Sequence, residues 1–388
     1  MAFILFLNLI CLLLALVELI SWLLCLTYLI IIGTFIFGWL KLDSSNSIEL
    51  SQTLKVSVLI AARNEESNIL DCLQDILKQD YPQHLLEIIV VDDHSTDRTS
   101  ELVLSLSSPC IKLIKLDESK ALNSYKKKAI TEAINLSSGE LIVTTDADCR
   151  MGTLWISSIV SRYEKGNCKL ISSPVSYFQN KSLFQQLQTA EFVSLIAMGA
   201  SAISNQMAFT CNGANLAYSR KVFFELSGFQ GIDQVASGED ELFLHKVSAA
   251  YPGEIAFLKA QDAIVYTYAK PNLKEFLNQR KRWASKSMHY VYKLPVYLSV
   301  LVYLFYASLF IQMVIGIFST IIMQQVILQF AVKLVIDAVF LFSTLLFFKR
   351  IKLMAYLLPA SFLHIFYILF IGTVGNSGKY EWKDRMVR

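Results

Sequence analysis

The sequence predicts an α/β domain with a Rossmann-like, mainly parallel sheet, cytoplasmic and flanked by transmembrane helices. Three observations predict it. The 388-residue chain is 54% hydrophobic and only 17% charged, well short of the quarter usual in soluble domains, and the apolar surplus lies at its two ends. Between them, short apolar runs alternate with helical segments, the pattern of a sheet covered on both faces. Acidic residues follow these runs directly, where open α/β sheets place their ligands. The balance of 35 Lys+Arg against 32 Asp+Glu excludes a basic nucleic-acid binder. Seven cysteines without C-x-x-C or C-x-x-H spacing offer neither a zinc site nor a disulfide framework.

Residues 1–42 read as the first transmembrane segment. From Phe3 to Leu40 only Glu18 is charged, and about 20 apolar residues suffice to span a bilayer. The basic start and cleavage site of a signal peptide are missing. With no Gly or Pro near the middle, one long tilted helix is favoured over a hairpin, and Lys41 favours a cytoplasmic exit. Residues 43–294 then read as strand Val56–Ala62, a helix from Glu66 to Gln79, strand Glu87–Asp93, a helix after Ser95-Thr96-Asp97, strand Ile111–Leu116, a helix from Lys126 to Leu136 and strand Glu140–Thr145. Leu183–Ile203 and Leu273–Tyr290 suit helices lying on a membrane or inside the core equally well.

Residues 295–376 carry about three further spans, near Pro295–Ile322, Val326–Phe348 and Leu353–Val374, separated by Gln324-Gln325 and by Lys349-Arg350-Ile351-Lys352. The basic loop should face the cytoplasm. Lys333 and Asp337, four apart on one helix face, read as a structural ion pair. Three crossings would leave the tail, 377–388, outside, although Lys379, Lys383, Arg385 and Arg388 suit the cytoplasm. Pro359 marks the last span as the one to be re-entrant or interfacial.

Candidate site residues stand at the strand ends. Arg63-Asn64-Glu65-Glu66 follows the first strand, Asp92-Asp93 the second and Asp146-Ala147-Asp148 the fourth, with neither Gly-x-Gly-x-x-Gly nor Gly-x-x-x-x-Gly-Lys present. In extended backbone Asp146 and Asp148 project to one side and can address one ion. Hard oxygen ligands suit Mg²⁺ or Mn²⁺, which bridge readily to phosphates. Alone, such a pair is as easily a helix-capping turn; beside the acids of a second strand end it reads as a metal site. Asp92 and Asp93 could cap the next helix or accept from a nucleoside, and are assigned to the nucleoside. Lys126, Lys127 and Lys128 read as a solvated face, with the alternative that one of them reaches a phosphate. Glu239 and Asp240 begin a helix whose dipole favours acids there. Gln279-Arg280-Lys281-Arg282-Trp283 is a juxtamembrane basic patch, or a place where Arg282 holds a diphosphate and Trp283 a sugar face.

Together, VSVLIAARNEESNI, VVDDHSTDRT, TTDADC, CNGANLAYSR, SGED and QRKRWASKS resemble, in order from Val56 to Tyr290, the membrane-bound inverting glycosyltransferases of family 2, whose fold is GT-A. The resemblance implies Glu65, Asp92 and Asp93 at the nucleotide, Asp146 and Asp148 on Mg²⁺ or Mn²⁺, and Asp240 as base. It places Glu239, Gln279, Arg282 and Trp283 beside acceptor and diphosphate. It further implies a nucleotide-sugar donor, with UDP the expected nucleotide, and a lipid-linked or glycan acceptor in the plasma (inner) membrane. Close relatives often read Ser-Gly-Asp-Asp where this chain has Ser-Gly-Glu-Asp. The Q-x-x-R-W pattern occurs in polysaccharide synthases and in enzymes that glucosylate a lipid once. The competing class is a catalytically silent scaffold or partner subunit, against which the intact acids argue.

Overall fold

The computed structural model describes residues 2–387 apart from 45–47, 50, 52, 118–123, 167, 180–181, 236, 287–289, 291, 376–379 and 383–384, with side chains described from Ala15 to Gly375. Lys379, Lys383 and Arg388 lie outside the described residues, as does the side chain of Arg385.

The first element is one helix, α1 (Ala2–Lys41), as the uninterrupted apolar run predicts. The domain follows as β1 (Val56–Ala62), α2 (Ile69–Leu77), β2 (Leu86–Asp92), α3 (Thr99–Ser105), β3 (Ile111–Lys115), α4 (Tyr125–Leu136), β4 (Leu141–Asp146), β5 (Arg150–Met151), α5 (Trp155–Glu164), β6 (Leu170–Ser172) and β7 (Val175–Tyr177). Then come α6 (Leu183–Ser204), β8 (Leu216–Ser219), α7 (Arg220–Glu225), α8 (Glu239–Ala250), β9 (Ile255–Phe257), β10 (Val265–Thr267) and α9 (Leu273–Ser285). The last helices are α10 (Leu294–Gly316), α11 (Thr320–Phe347) and α12 (Leu357–Val374), before a short ribbon of β11 (Tyr380–Trp382) and β12 (Arg385–Val387).

The main sheet has the order β3-β2-β1-β4-β8-β6-β9. Its first four strands are parallel, β8 runs antiparallel to β4 and β6, and β9 is parallel to β6. A second sheet, β5-β10-β7, stands beside it. Along β1 the side-chain alternation of a strand sends Val56, Val58 and Ile60 into a core under α2 and α5, and Leu59 into a core under α4 and α8. The second core continues into the helical base through Trp39, which is 1% exposed and packs on Phe257 and Phe347.

Among the described residues, five helices are long and apolar enough to cross a membrane: residues 15–41 of α1, then α6, α10, α11 and the segment Ile351–Val374. Of these, α6 is a core helix, packed on α1, α11, β7 and β9. One expectation needs correction. Gln324-Gln325 does not separate two spans. It lies inside α11, where Gln325 hydrogen-bonds Glu18 of α1, and the break falls at residues 317–319 with the Ser319 side chain capping α11. The last span, the one expected to be re-entrant or interfacial, packs on two helices. Its second half lies alongside α9, with Phe276 on Tyr367, Lys281 over Phe370 and Gly375 against Ala284, and it packs on α10 through Tyr306–His364 and Phe310–Phe366. The ion pair is as read: Lys333 and Asp337 meet at 2.5 Å, and the Tyr28 hydroxyl donates to the same carboxylate at 2.7 Å.

Candidate active site

A cleft of about 520 Å³ opens at the carboxyl ends of β1 and β4 and extends between α6, α8 and α9 to Pro295 and Ser299 at the start of α10. The loops after β1 and β2 form its outer edge and are tied to each other. The Arg63 guanidinium donates to the carbonyls of Asp93 and His94 at 2.9 and 3.1 Å, and the Glu66 amide donates to Asp97 at 3.0 Å. Asn64 and His94 take positive φ, 51° and 56°, where short polar side chains are tolerated.

Asp92 and Asp93 part company here. Asp92 is 5% exposed and accepts from the Ser95 amide at 2.9 Å and from the Ser100 hydroxyl, so both its oxygens hold the following turn. Asp93 lines the cleft, with His94 Nδ1 at 2.9 Å, and so does Glu65, whose carboxylate also accepts from Asn68. Asp92 is thus spent on the following turn, the Thr99 amide of α3 donates to Asp97 instead, and Asp93 and Glu65 are the acids that line the cleft.

At the end of β4, oxygens of Asp146 and Asp148 and the Cys149 sulfur come within 4.8 Å of one another. Burial pushes the Cys149 thiol well above its ordinary range, with both neighbouring carboxylates adding to the effect. A protonated, soft sulfur is no ligand for Mg²⁺ or Mn²⁺. The two carboxylates remain, a hard-oxygen pair that fits such an ion with open positions for water and phosphate. Thr267 of β10 donates to Asp148 at 3.2 Å, and just beyond, Arg150 grips Asp75 through two bonds of 2.6 and 2.9 Å, fixing the turn.

Asp240 sits in the first turn of α8, after Gly238 at φ 85°. Its Oδ2 accepts from the Gly213 amide at 3.0 Å, and its Oδ1 from the Glu241 amide at 2.8 Å and from Lys286 at 3.4 Å. A Cβ on Gly213 would lie 3.4 Å from that carboxylate, in van der Waals contact. Burial disfavours the Lys286 charge, yet Asp240 and Glu241 together raise its pKa and hold it protonated. Burial likewise opposes ionisation of Glu239, and Lys126 with Lys286 overrides it, keeping this carboxylate well below its usual range.

The lysine run is not a solvated face. Lys126 bridges Asp146 at 2.7 Å and Glu239 at 2.9 Å inside the cleft. Lys127, 2% exposed, donates to the carbonyls of Val235 and Ser237 and fastens the loop before α8. Lys128 alone makes a surface pair, with Glu132 at 2.7 Å. On α9, Gln279, Arg282, Trp283 and Lys286 line the cleft. The Gln279 carbonyl oxygen is buried without a hydrogen-bond partner. Arg280 faces away, 3% exposed, bonded to Glu191 at 2.8 Å and stacked 4.1 Å over the Trp283 ring. Sequence reasoning missed Lys126 and Lys286 as site residues. The helical stripe shared by Lys127, Ile130 and Ile134 was the available signal that the run turns inward.

Residues 57–226 match the family described as Glycosyl transferase family 2. Among curated proteins the chain is 30% identical over 249 residues to a probable glycosyltransferase, YdaM, of Bacillus subtilis (strain 168), covering 62% of this chain and 56% of that one. It is 30% identical over 110 residues to a beta-monoglucosyldiacylglycerol synthase of Nostoc sp., covering 28% and 24%. To a poly-beta-1,6-N-acetyl-D-glucosamine synthase of Staphylococcus epidermidis it is 26% identical over 174 residues, covering 43% and 40%. The matches thus span about half or less of these relatives' length. Among solved structures, the mannosyltransferase PcManGT from Pyrobaculum calidifontis, in complex with GDP-Man and Mn²⁺, superposes with a TM-score of 0.54 at 18% identity, over 90% of this chain and 99% of that one.

Proposed function

From a glycosyl transferase family 2 domain of GT-A fold, resting on a helical base, we propose that the chain is an integral-membrane inverting glycosyltransferase. It would move a sugar from a nucleotide-diphosphate donor, a UDP-sugar, to a lipid-linked or growing glycan acceptor. One observation carries this reading: a single cleft joins Asp93, the Asp146–Asp148 pair and Asp240 to the first turn of α10. Donor chemistry and a membrane-borne acceptor can meet there. The two synthases named above, one making a glycolipid and one a glycan by their names, bracket the acceptor class.

In this reading Asp93 and Glu65 receive the nucleoside. Asp146 and Asp148 hold Mg²⁺ or Mn²⁺, which when bound neutralises charge on the departing diphosphate; the PcManGT structure was obtained with Mn²⁺. Asp240 takes the proton of the acceptor hydroxyl as its oxygen bonds to the sugar C1 and the C1–phosphate bond breaks. One such displacement inverts the anomer. Arg282 faces the diphosphate, Trp283 offers the acceptor a flat face, and the unpaired Gln279 oxygen awaits a hydroxyl donor. Lys41 at the end of α1 and the 349–352 basic loop after α11 lie on the domain side, which supports a cytoplasmic active site in the plasma membrane.

The test is nucleotide release by the full-length protein in lipid, offered UDP-glucose, UDP-N-acetylglucosamine, UDP-galactose and GDP-mannose with Mg²⁺ or Mn²⁺. Donor-specific, metal-dependent release abolished by Asp240→Asn and by Asp148→Ala is expected. No release from any donor, with membrane lipids supplied, would turn the reading toward a silent scaffold.

A further inference from the structure

A second cavity, of about 980 Å³, lies where the domain-side ends of α1 and α11 meet the loop before β10, and it shares no lining residue with the catalytic cleft. Its size is at the upper end for sites that hold small molecules. One wall is apolar. Val339, Phe342 and Leu346, on one face of α11, are 50%, 50% and 60% exposed, and Leu40 of α1 opposite them is 65% exposed. Both helices are long and apolar enough to cross a membrane, so this wall belongs to the acyl layer.

The other end of the cavity is polar. Lys259 donates to the Trp39 carbonyl at 2.8 Å and lies 4.2 Å over the Trp39 ring, while Gln261 donates to the Phe347 carbonyl at 3.1 Å. These bonds hold the loop at the last turns of α1 and α11, the level at which both helices leave the apolar layer. Asp262 completes the rim. An ammonium has three N–H donors and Lys259 spends one on Trp39; a carboxylate has about four acceptor positions. A cation and a carboxylate three residues apart, above an apolar slot, complement a ligand with an acyl chain and both charges in its head.

We propose that this groove binds a phospholipid with a primary-amine headgroup. Its phosphate meets Lys259, its ammonium meets Asp262, and one acyl chain lies between Leu40 and Phe342. Burial already lowers the Lys259 pKa, and a phosphate beside it would restore the charge. A headgroup with a phosphate and no amine would leave Asp262 facing an anion. A choline headgroup brings charge without an N–H to donate. Affinity should therefore fall from phosphatidylethanolamine to phosphatidylcholine and phosphatidylglycerol.

The experiment is native mass spectrometry of the full-length protein, delipidated in mild detergent and titrated with these three lipids at matched acyl length. One phosphatidylethanolamine per chain is expected, bound about tenfold more tightly than either competitor. Lys259→Gln should weaken it about tenfold, and Val339→Trp, which fills the slot, should remove it while nucleotide release from donor is kept. Val339→Phe serves as a milder second filling should the tryptophan lower the melting temperature. Equal affinity for the three headgroups would overturn the proposal, as would unchanged binding in Lys259→Gln and the filled variants. So would a second protein copy that occupies the groove, seen as a dimer lost on filling. The readout is lipid mass, so it stands or falls separately from glycosyl transfer.

Discussion

Lys126 occupies the place where a metal and a diphosphate would compete for charge, and replacing it should move the two ligands in opposite directions. Its ammonium is 2.7 Å from Asp146 Oδ1. With a metal–oxygen distance of about 2.1 Å, an ion on Asp146 would lie on the order of 4–5 Å from that nitrogen. The repulsion of a dication and an ammonium at that range is about 2 kcal/mol in water and about 7 kcal/mol at an effective dielectric of 20. Asp146 is 38% exposed, which places the site near the watery limit, and Lys126 can withdraw toward Glu239 at 2.9 Å. Lys126→Met should therefore strengthen nucleotide-free Mn²⁺ binding by about 1.5 kcal/mol, roughly tenfold. The same change removes a cation facing the diphosphate, and UDP at saturating metal should bind roughly tenfold more weakly. Titration calorimetry of the full-length protein, first with Mn²⁺ and then with UDP, measures both. Equal Mn²⁺ affinity in the two proteins would refute the reasoning, because it would mean that the ammonium does not contend for Asp146.

The other predictions concern single positions. Gly238→Ala puts a side chain at φ 85°, costing about 1–2 kcal/mol; thermal melting should show it, with turnover falling further as Asp240 shifts. Glu87, although burial opposes its charge, is held down to about 2 by Lys112, Ser57 and the Ser138 amide. A depressed carboxylate contributes stability above its unfolded value that is lost as pH falls from about 4.5 to about 2, so Glu87→Gln should cost about 2 kcal/mol at neutral pH and flatten the acid limb of a denaturation series. An unchanged acid limb would count against that network. Lys333→Met leaves Asp337 in the helical base without its partner and should destabilise by about 3–5 kcal/mol, with Lys333→Met/Asp337→Leu recovering most of it; a neutral single variant would remove the ion pair from the argument. Trp283→Ala should raise the acceptor KM and spare donor binding, and unchanged acceptor kinetics would rule out its stacking role.

Much of this architecture was legible because strand and helix periods are local. β1, β2 and β4 read directly as apolar runs, and the acids at their ends fell where an open sheet puts its ligands. The division between Asp92 and Asp93 was within reach of the same rule, since neighbours at a strand end point to opposite sides. On α9 and its C-terminal cap the helical period sorts the basic run: Gln279, Arg282, Trp283 and Lys286 share the stripe that faces the cleft, whereas Arg280 turns away with Phe276 and stacks on the Trp283 ring. What no local pattern could show is how distant segments satisfy each other. Gln325 looked like a break between spans because its partner, Glu18, stands 307 positions away.

The tail illustrates how two kinds of signal decide a question neither settles alone. Span counting placed residues 377–388 across the membrane from the domain, and the basic residues there argued for the domain side. Apolar length says only that Ile351–Val374 could cross; it carries no direction. The partners of the helix carry more: it packs on α10 through Tyr306–His364 and Phe310–Phe366, and its second half pairs with α9 from Phe276–Tyr367 to Ala284–Gly375, in the same order along both chains. After α12 the chain comes back to α9, because β11 packs on it. The contact of β11 with α9 and the basic composition of the tail thus argue for the same side.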